Sequence, residues 1–246
     1  MSRRMIAAIA ALGITTSGAL AQEVRVGIVL SYTGVGAEFA QQMDRGMELY
    51  LKLNADQVKP YTITLIKRDS KAPDGAGAKI AVQELLTQER VDALAGFSYS
   101  PDAIASAPVI TAGRKLAVIT NAGTSFITNL SPYFVRTSFT LWQSSYVMGE
   151  AAAKTLHAKT AVVAYTDYPP GKDSLEAFKR AFEANGGKVL DAIPTGGPGT
   201  VPDFTPFFQR GTRSRTLSSF SFRPAIMRWL RSGPTRPSAW PPPASS

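Results

Sequence analysis

Residues 90–124, RVDALAGFSYSPDAIASAPVITAGRKLAVITNAGT, decide the fold. The run Val91 to Phe97 is short, apolar and β-compatible, and Ser98-Tyr99-Ser100 follows it as a turn. A helix is expected from Pro101 to about Arg114, then a second strand over Leu116-Ala117-Val118-Ile119, closed by Thr120 to Thr124. Strand, turn, helix, strand, turn is the unit of an open parallel sheet, in which ligands bind beyond the carboxyl ends of the strands. Ser100 before Pro101 is expected to be an N-cap, because proline suits the first helical position. Such a helix start aims free N–H groups and a positive dipole end at an anion.

The same unit recurs outward from this stretch. Val24 to Leu30 is an expected first strand, Ser31 to Gly36 a glycine-bearing turn, and Ala37 to about Asn54 a helix with Phe39, Met43, Met47 and Tyr50 at core spacing. A second strand runs from Tyr61 to Ile66 and ends at Arg68-Asp69. The helix after it, about Asp74 to Glu89, carries Ile80, Val82, Leu85 and Leu86 as its expected buried side. Tyr133 to Thr137 makes a fifth strand. A second α/β series starts after a boundary near Ser138 to Thr140. It consists of a helix over Leu141 to Leu156, a strand over Thr160 to Tyr165, a helix over Lys172 to Asn185 closed by Gly186-Gly187, and a strand over Lys188 to Ala192. Asp203 is expected to cap a helix opening at Phe204. The fold class is therefore α/β, two doubly wound parallel-sheet lobes with the second incomplete.

Both termini read differently. Arg3 and Arg4, the apolar run Met5 to Thr16, and Ala19-Leu20-Ala21 are expected to form a secretory signal peptide over residues 1–21, which places the mature chain outside the cytoplasm. Lobe one is then 22–139 and partial lobe two 140–210. Residues 211–246 carry six arginines, no lysine and no acid, with Trp240-Pro241-Pro242-Pro243 near the end. That composition is expected of a shifted reading frame in GC-rich DNA; a disordered tail or a basic arm for an anionic partner are the alternatives. The arginines of leader and tail take the formal charge from +9 to +1 over residues 5–210, so a nucleic-acid surface is not indicated there. With no cysteine, the fold rests on its core rather than on disulfides.

Catalytic chemistry finds little support. Gly34-Val35-Gly36 follows a strand, but Phe39 stands where the dinucleotide fingerprint needs its third glycine. Gly96-Phe97-Ser98-Tyr99-Ser100 lacks the closing glycine of a nucleophile elbow, and the one histidine, His157, falls at the end of a second-lobe helix. No clustered metal ligands stand out, and no cofactor is indicated. Asp69 reads as a turn former, and Asp167 and Asp173 as solvated flanks of a Pro-Pro-Gly loop. What remains is binding chemistry. Ser98, Tyr99, Ser100, Asn121 and Thr124 offer hydrogen bonds at two adjacent strand ends, and Phe39, Phe97, Phe126, Trp142 and Tyr168 offer apolar walls.

These residues resemble those of a known family. The leader, Val26-Gly27-Ile28 leading to Thr33-Gly34, Lys67-Arg68-Asp69, the stretch Gly96 to Ser100, Asn121 to Thr124, Phe134-Val135-Arg136-Thr137 and Asp203-Phe204-Thr205 are similar, in order and spacing, to periplasmic solute-binding proteins of ABC transporters of the leucine/isoleucine/valine type. The resemblance covers about residues 1–210. It implies a type I periplasmic-binding-protein fold, no enzymatic activity, a monomer, and delivery of a small carboxylate ligand to an ABC permease in the inner membrane. It also implies that Ser100 holds the ligand carboxylate, that Ala122 (through its backbone) and Thr124 bind carboxylate and ammonium, and that Phe39 and Tyr168 pack on the ligand. The family's acid that pairs with the ligand's amine lies past residue 210. An amino acid and an aromatic acid without an amine therefore both stand as ligands, and a sensing domain of the same fold or a non-functional remnant as alternatives.

Overall fold

The computed structural model describes residues 22–71, 73–212 and 219–221; the expected leader, 1–21, and most of the basic tail lie outside the described residues. In lobe one, β1 (Gln22–Leu30), β2 (Tyr61–Asp69), β3 (Ala93–Gly96), β4 (Leu116–Ile119) and β5 (Phe134–Arg136) form one sheet in the order β2-β1-β3-β4-β5, every pair parallel. The chain leaves β1 for β2 on one side and returns to β3 on the other. The strand order therefore reverses between β1 and β3, the switch point at which such sheets open a crevice.

Alternation along β1 separates two apolar layers. Ile28 and Leu30 pack with Ala40, Met43 and Met47 of α1 (Ala37–Leu53) on one face. Val29 joins the other cluster, where α2 (Ala76–Thr87) and α3 (Ser100–Gly113) supply Ala78, Val82, Leu85, Ala103 and Ile110. A strand covered on both faces reads as the unbroken apolar run seen here. Asp44, buried in α1, is satisfied by the Tyr32 hydroxyl at 2.9 Å and the Lys67 ammonium at 2.8 Å, which ties α1 to β2.

In lobe two, α4 (Leu141–Lys154) starts at a capping box in which Thr140 Oγ1 accepts from the Gln143 N–H and Gln143 returns to the Thr140 N–H. The strands β6 (Thr160–Tyr165) and β7 (Lys188–Pro194) pair in parallel, and α5 (Pro169–Ala184) crosses between them. It ends in a Schellman motif: the Gly186 N–H bonds the Glu183 carbonyl, the Gly187 N–H bonds that of Phe182, and Gly186 takes φ +81°. The short α6 (Thr205–Thr212) begins where Asp203 accepts the Thr205 N–H at 2.8 Å.

Several expectations are corrected. Ile80 is 57% exposed, because the buried stripe of α2 is Ala78, Ala81, Val82 and Leu85, and Ile80 stands off it. Phe39 is 43% exposed, one residue off the Ala40–Met43–Met47 stripe of α1. Phe97 is wholly buried against Phe134 in the lobe-one core, with ring centroids 6.3 Å apart, and is no cleft wall. The Pro169-Pro170-Gly171 segment opens α5 rather than forming a loop, since proline needs no N–H partner in a first turn. Within the tail, residues 219–221 form β8 (Ser219–Ser221), which pairs parallel with β6, so the second sheet runs β7-β6-β8 instead of stopping at two strands.

Candidate functional site

The carboxyl ends of four lobe-one strands meet in a polar chain, buried at Ser31, Ser70, Ser98 and Asp102 and exposed at Asn121. Ser31, after β1, donates its N–H to Ser98 Oγ, after β3, at 2.9 Å. Ser31 Oγ and Ser70 Oγ are 2.8 Å apart, and Ser70 donates to Asp102 Oδ2 at 3.3 Å. The same Asp102 oxygen accepts the Tyr99 N–H at 3.2 Å and so closes the first turn of α3. Asn121, after β4, donates to the Ser98 carbonyl at 2.7 Å.

A backbone feature shapes this edge. Gly96 and Phe97 both take positive φ, +114° and +67°. A Cβ at Gly96 would overlap the Val29 carbonyl oxygen, so glycine is required there by contact as well as by φ. Phe97 has no such freedom, and its left-handed conformation costs about 1 kcal/mol. Burial of its ring and an N–H bond to the Val29 carbonyl at 2.6 Å hold it in place. The bend turns Ser98, Tyr99 and Ser100 across the top of the sheet.

Ser100 is not the cap. Tyr99 occupies that position and Ser100 is the first helical residue. The Ser100 hydroxyl instead accepts the Thr124 N–H at 3.1 Å, joining the two strand-end loops. Its own O–H proton remains available to a ligand acceptor. Thr124 is fully buried and its Oγ1 has no partner among the described residues. Ala122 does not offer a backbone donor, because its N–H bonds the Phe97 carbonyl at 3.0 Å. Asp69 acts as a turn former, accepting from the Tyr32 N–H, the Thr33 hydroxyl and the Lys71 N–H. Burial acts to raise its pKa, but these bonds hold it below the usual carboxylate value.

Lobe two meets this edge through the start of α5. Burial pushes the Tyr168 phenol up to about 12, and the neighbouring Tyr99 phenol adds to the rise. Tyr99 is raised too, by burial first and by Asp102 second. Two aromatic hydroxyls, one from each lobe, thus stand at the same boundary. Sequence reasoning missed three residues here. Asp173 of α5 accepts both the N–H and the hydroxyl of Ser125, at 2.9 and 2.6 Å. Arg136 at the end of β5 donates to the Thr124 carbonyl at 2.6 Å. Burial pulls the Arg136 guanidinium below its ordinary pKa, and the Asp173 carboxylate opposes that. The Phe134-Val135-Arg136 triplet was the available signal for Arg136; Ser125 and Asp173 carry none, since their pairing spans 48 residues.

Of the expected site residues, Ser98, Ser100, Asn121 and Thr124 share one hydrogen-bonded edge, and Tyr99 lies near enough to Tyr168 to raise its phenol's pKa. Phe39 stands exposed on α1, and Ala122 contributes a buried, committed backbone. The arrangement can hold an acceptor-rich ligand between donors and phenols. Among the described residues, no cluster of three or more acids or histidines is placed to hold a metal ion, and no helix is long and apolar enough to cross a membrane.

A parallel-sheet lobe with its polar edge at the switch point, facing a second lobe of the same construction, defines a type I periplasmic-binding-protein fold. Comparison with known proteins gives the same class. The model of the periplasmic binding protein family matches residues 23–215, and the chain belongs to that family. A Leu/Ile/Val-binding protein homolog 6 from Brucella abortus (strain 2308) is 36% identical over 235 residues, 96% of this chain and 58% of the relative. A solute-binding protein of an ABC transporter from R. palustris, solved with 4-hydroxybenzoate, has a TM-score of 0.76 and 37% identity over 83% of this chain and 55% of its own. Another, from Rhodopseudomonas palustris BisB5 with 3,4-dihydroxybenzoic acid, has a TM-score of 0.73 and 38% identity over 81% and 54%. The chain thus spans a little over half the length of the relatives it matches.

Proposed function

We propose that this chain is the extracytoplasmic substrate-binding component of an ABC importer, and that its ligand is a small aromatic carboxylate held between lobes 22–139 and 140–210. The observation that carries the reading is the Ser100–Thr124 pair. The Ser100 hydroxyl, in the first turn of a fourteen-residue helix, accepts the Thr124 N–H at 3.1 Å, and Thr124 Oγ1 is buried without a partner among the described residues. The dipole end of the helix and two O–H donors suit a carboxylate. Tyr99 and Tyr168 supply ring faces and hydroxyls for an aromatic body. Ser98 and Asn121 position the loop, and Phe39 reaches ligand only from the exposed side of α1.

An aromatic acid is favoured over an amino acid by the state of the carboxylates near the edge. Among the described residues, Asp69, Asp173 and one oxygen of the buried Asp102 are committed to internal hydrogen bonds, which leaves an ammonium at this edge without an exposed counter-ion. The benzoate-type ligands named for the two R. palustris structures support this choice. The Leu/Ile/Val name of the Brucella relative supports the second reading, a branched-chain amino acid. The mechanism is closure of two lobes and delivery to a permease in the inner membrane, without bond making, by a periplasmic monomer led there by residues 1–21.

Isothermal titration with 4-hydroxybenzoate and with leucine tests the proposal. One-site heat with 4-hydroxybenzoate, weakened about tenfold or more by Thr124→Val, is expected from loss of a buried charge-assisted bond. Binding of leucine alone turns the assignment to the amino acid, and heat from neither ends the carboxylate reading.

A further inference from the structure

The residue next to Thr124 in the chain is bound to the other lobe. Ser125 donates its N–H to Asp173 Oδ2 at 2.9 Å and its hydroxyl to Asp173 Oδ1 at 2.6 Å. Both oxygens of one carboxylate are thus engaged across the lobe boundary by one residue. Charge-assisted hydrogen bonds of this length are the strong ones, and a two-point grip fixes orientation as well as distance. Asp173 lies in the second turn of α5.

Arg136 completes the arrangement from the lobe-one side. One guanidinium nitrogen holds the Thr124 carbonyl at 2.6 Å, while the other, Nη1, is buried without a partner among the described residues. The Asp173 charge is near enough to act on it. Residues 124 and 125 are therefore clamped at three points: Ser100 takes the Thr124 N–H, Arg136 takes the Thr124 carbonyl, and Asp173 takes Ser125. Separating the lobes breaks the Ser125–Asp173 bonds and leaves Arg136 without its nearby countercharge.

We propose that Ser125, Asp173 and Arg136 form the latch that holds the two lobes together, and that this latch governs how long ligand is retained rather than how fast it arrives. Ligand held by Thr124 stiffens the backbone that presents Ser125, so occupancy and closure reinforce each other through adjacent residues. Release requires opening, so a weaker latch raises the dissociation rate. Association proceeds through the open form and is little changed. The retention arm rests on the proposed function; the closure arm needs no ligand.

The absence of cysteine makes the test direct. An Arg114→Cys/Lys179→Cys pair, exposed positions just past the end of α3 and on α5, carries a donor and an acceptor dye on the full chain. Asp173→Ala is expected to lower and broaden energy transfer without ligand, and Ser125→Ala to do the same to a smaller degree. The double variant is expected to match Asp173→Ala, because the two residues share one interaction. Asp173→Asn, which keeps one carbonyl acceptor, is expected to fall between. Stopped-flow with 4-hydroxybenzoate is expected to give a dissociation rate raised about tenfold for Asp173→Ala, with association within about twofold. Circular dichroism screens each variant for loss of fold, and Ser125→Ala stands in if Asp173→Ala does not fold. Unchanged energy transfer in the variants, or additive effects in the double variant, overturns the latch. A wild-type chain that shows the closure effect but binds no 4-hydroxybenzoate keeps the latch and sinks the ligand assignment instead.

Discussion

In lobe one the central strands have helix layers on both faces, and Leu85, Leu94, Ile110 and Ile119 are wholly buried between them. In lobe two the α4–α5 face holds a smaller cluster around Phe178 and Phe182, stacked at 5.4 Å. Its opposite face, with Val162 and Ile193, is met among the described residues by the eight-residue α6. Both lobes use the same βα unit. The difference is how much apolar surface each unit has to bury, and stability follows buried area. Under the proposed function, lobe one carries the binding edge on the firmer frame, and lobe two supplies the part that closes on it.

The most damaging change is expected in the first turn of α5 rather than at a core side chain. A Cβ at Gly171 would overlap the Thr166 carbonyl oxygen, which is backbone and cannot step aside. Gly171→Ala is expected to cost about 3 kcal/mol or more, all of it in lobe two, read by calorimetry as loss of the lower-temperature transition. Core truncations come next and separate the lobes. Phe182→Ala is expected to cost about 3–5 kcal/mol and to lower only the lobe-two transition, while Leu85→Ala costs about 2–5 kcal/mol in lobe one. A single transition moved equally by both would mean one cooperative unit and would remove the contrast.

A smaller, pH-dependent effect lies beneath the polar strand-end edge of lobe one. Burial pushes the Asp102 carboxyl up from 3.8 to about 7, although hydrogen bonds from Tyr99 and Ser70 pull the other way and the Asp74 charge adds to the rise. An acid with a raised folded pKa is held neutral by the fold. Its contribution is complete below about pH 4 and is lost as pH rises through about 7. Asp102→Asn mimics the neutral form, so the gap in melting temperature between variant and wild type should widen from pH 4 to pH 7. Parallel curves would contradict the raised pKa. The smallest effect is expected from Lys172→Ala, which removes an exposed ion pair with Asp167 at 3.0 Å and should shift stability by less than about 1 kcal/mol.

The strands of both lobes and most helices were legible because apolar runs and their spacing are local properties. Misreadings came where distant residues decide. Ile80 and Phe39 fit a helical apolar pattern yet stand outside the stripes that meet the sheet. Ser100 has the chemistry of a cap, but Asp102 closes that turn and the Ser100 hydroxyl turns to the β4 loop. Asp173 looked like loop solvation, since nothing near it in sequence announces Ser125, 48 residues away. The Ser98–Ser100 and Asn121–Thr124 segments were found because they follow adjacent strands, whereas the residues joining the lobes could be seen only once the lobes were placed together.

Hydrogen–deuterium exchange with and without 4-hydroxybenzoate tests the central claim, a ligand edge on lobe one closed by lobe two, most directly. Added protection is expected in peptides covering residues 97–103, 120–126 and 166–174 together, with none in residues 50–63 at the far end of β2. Protection confined to one lobe, or absent from all three segments, would contradict it.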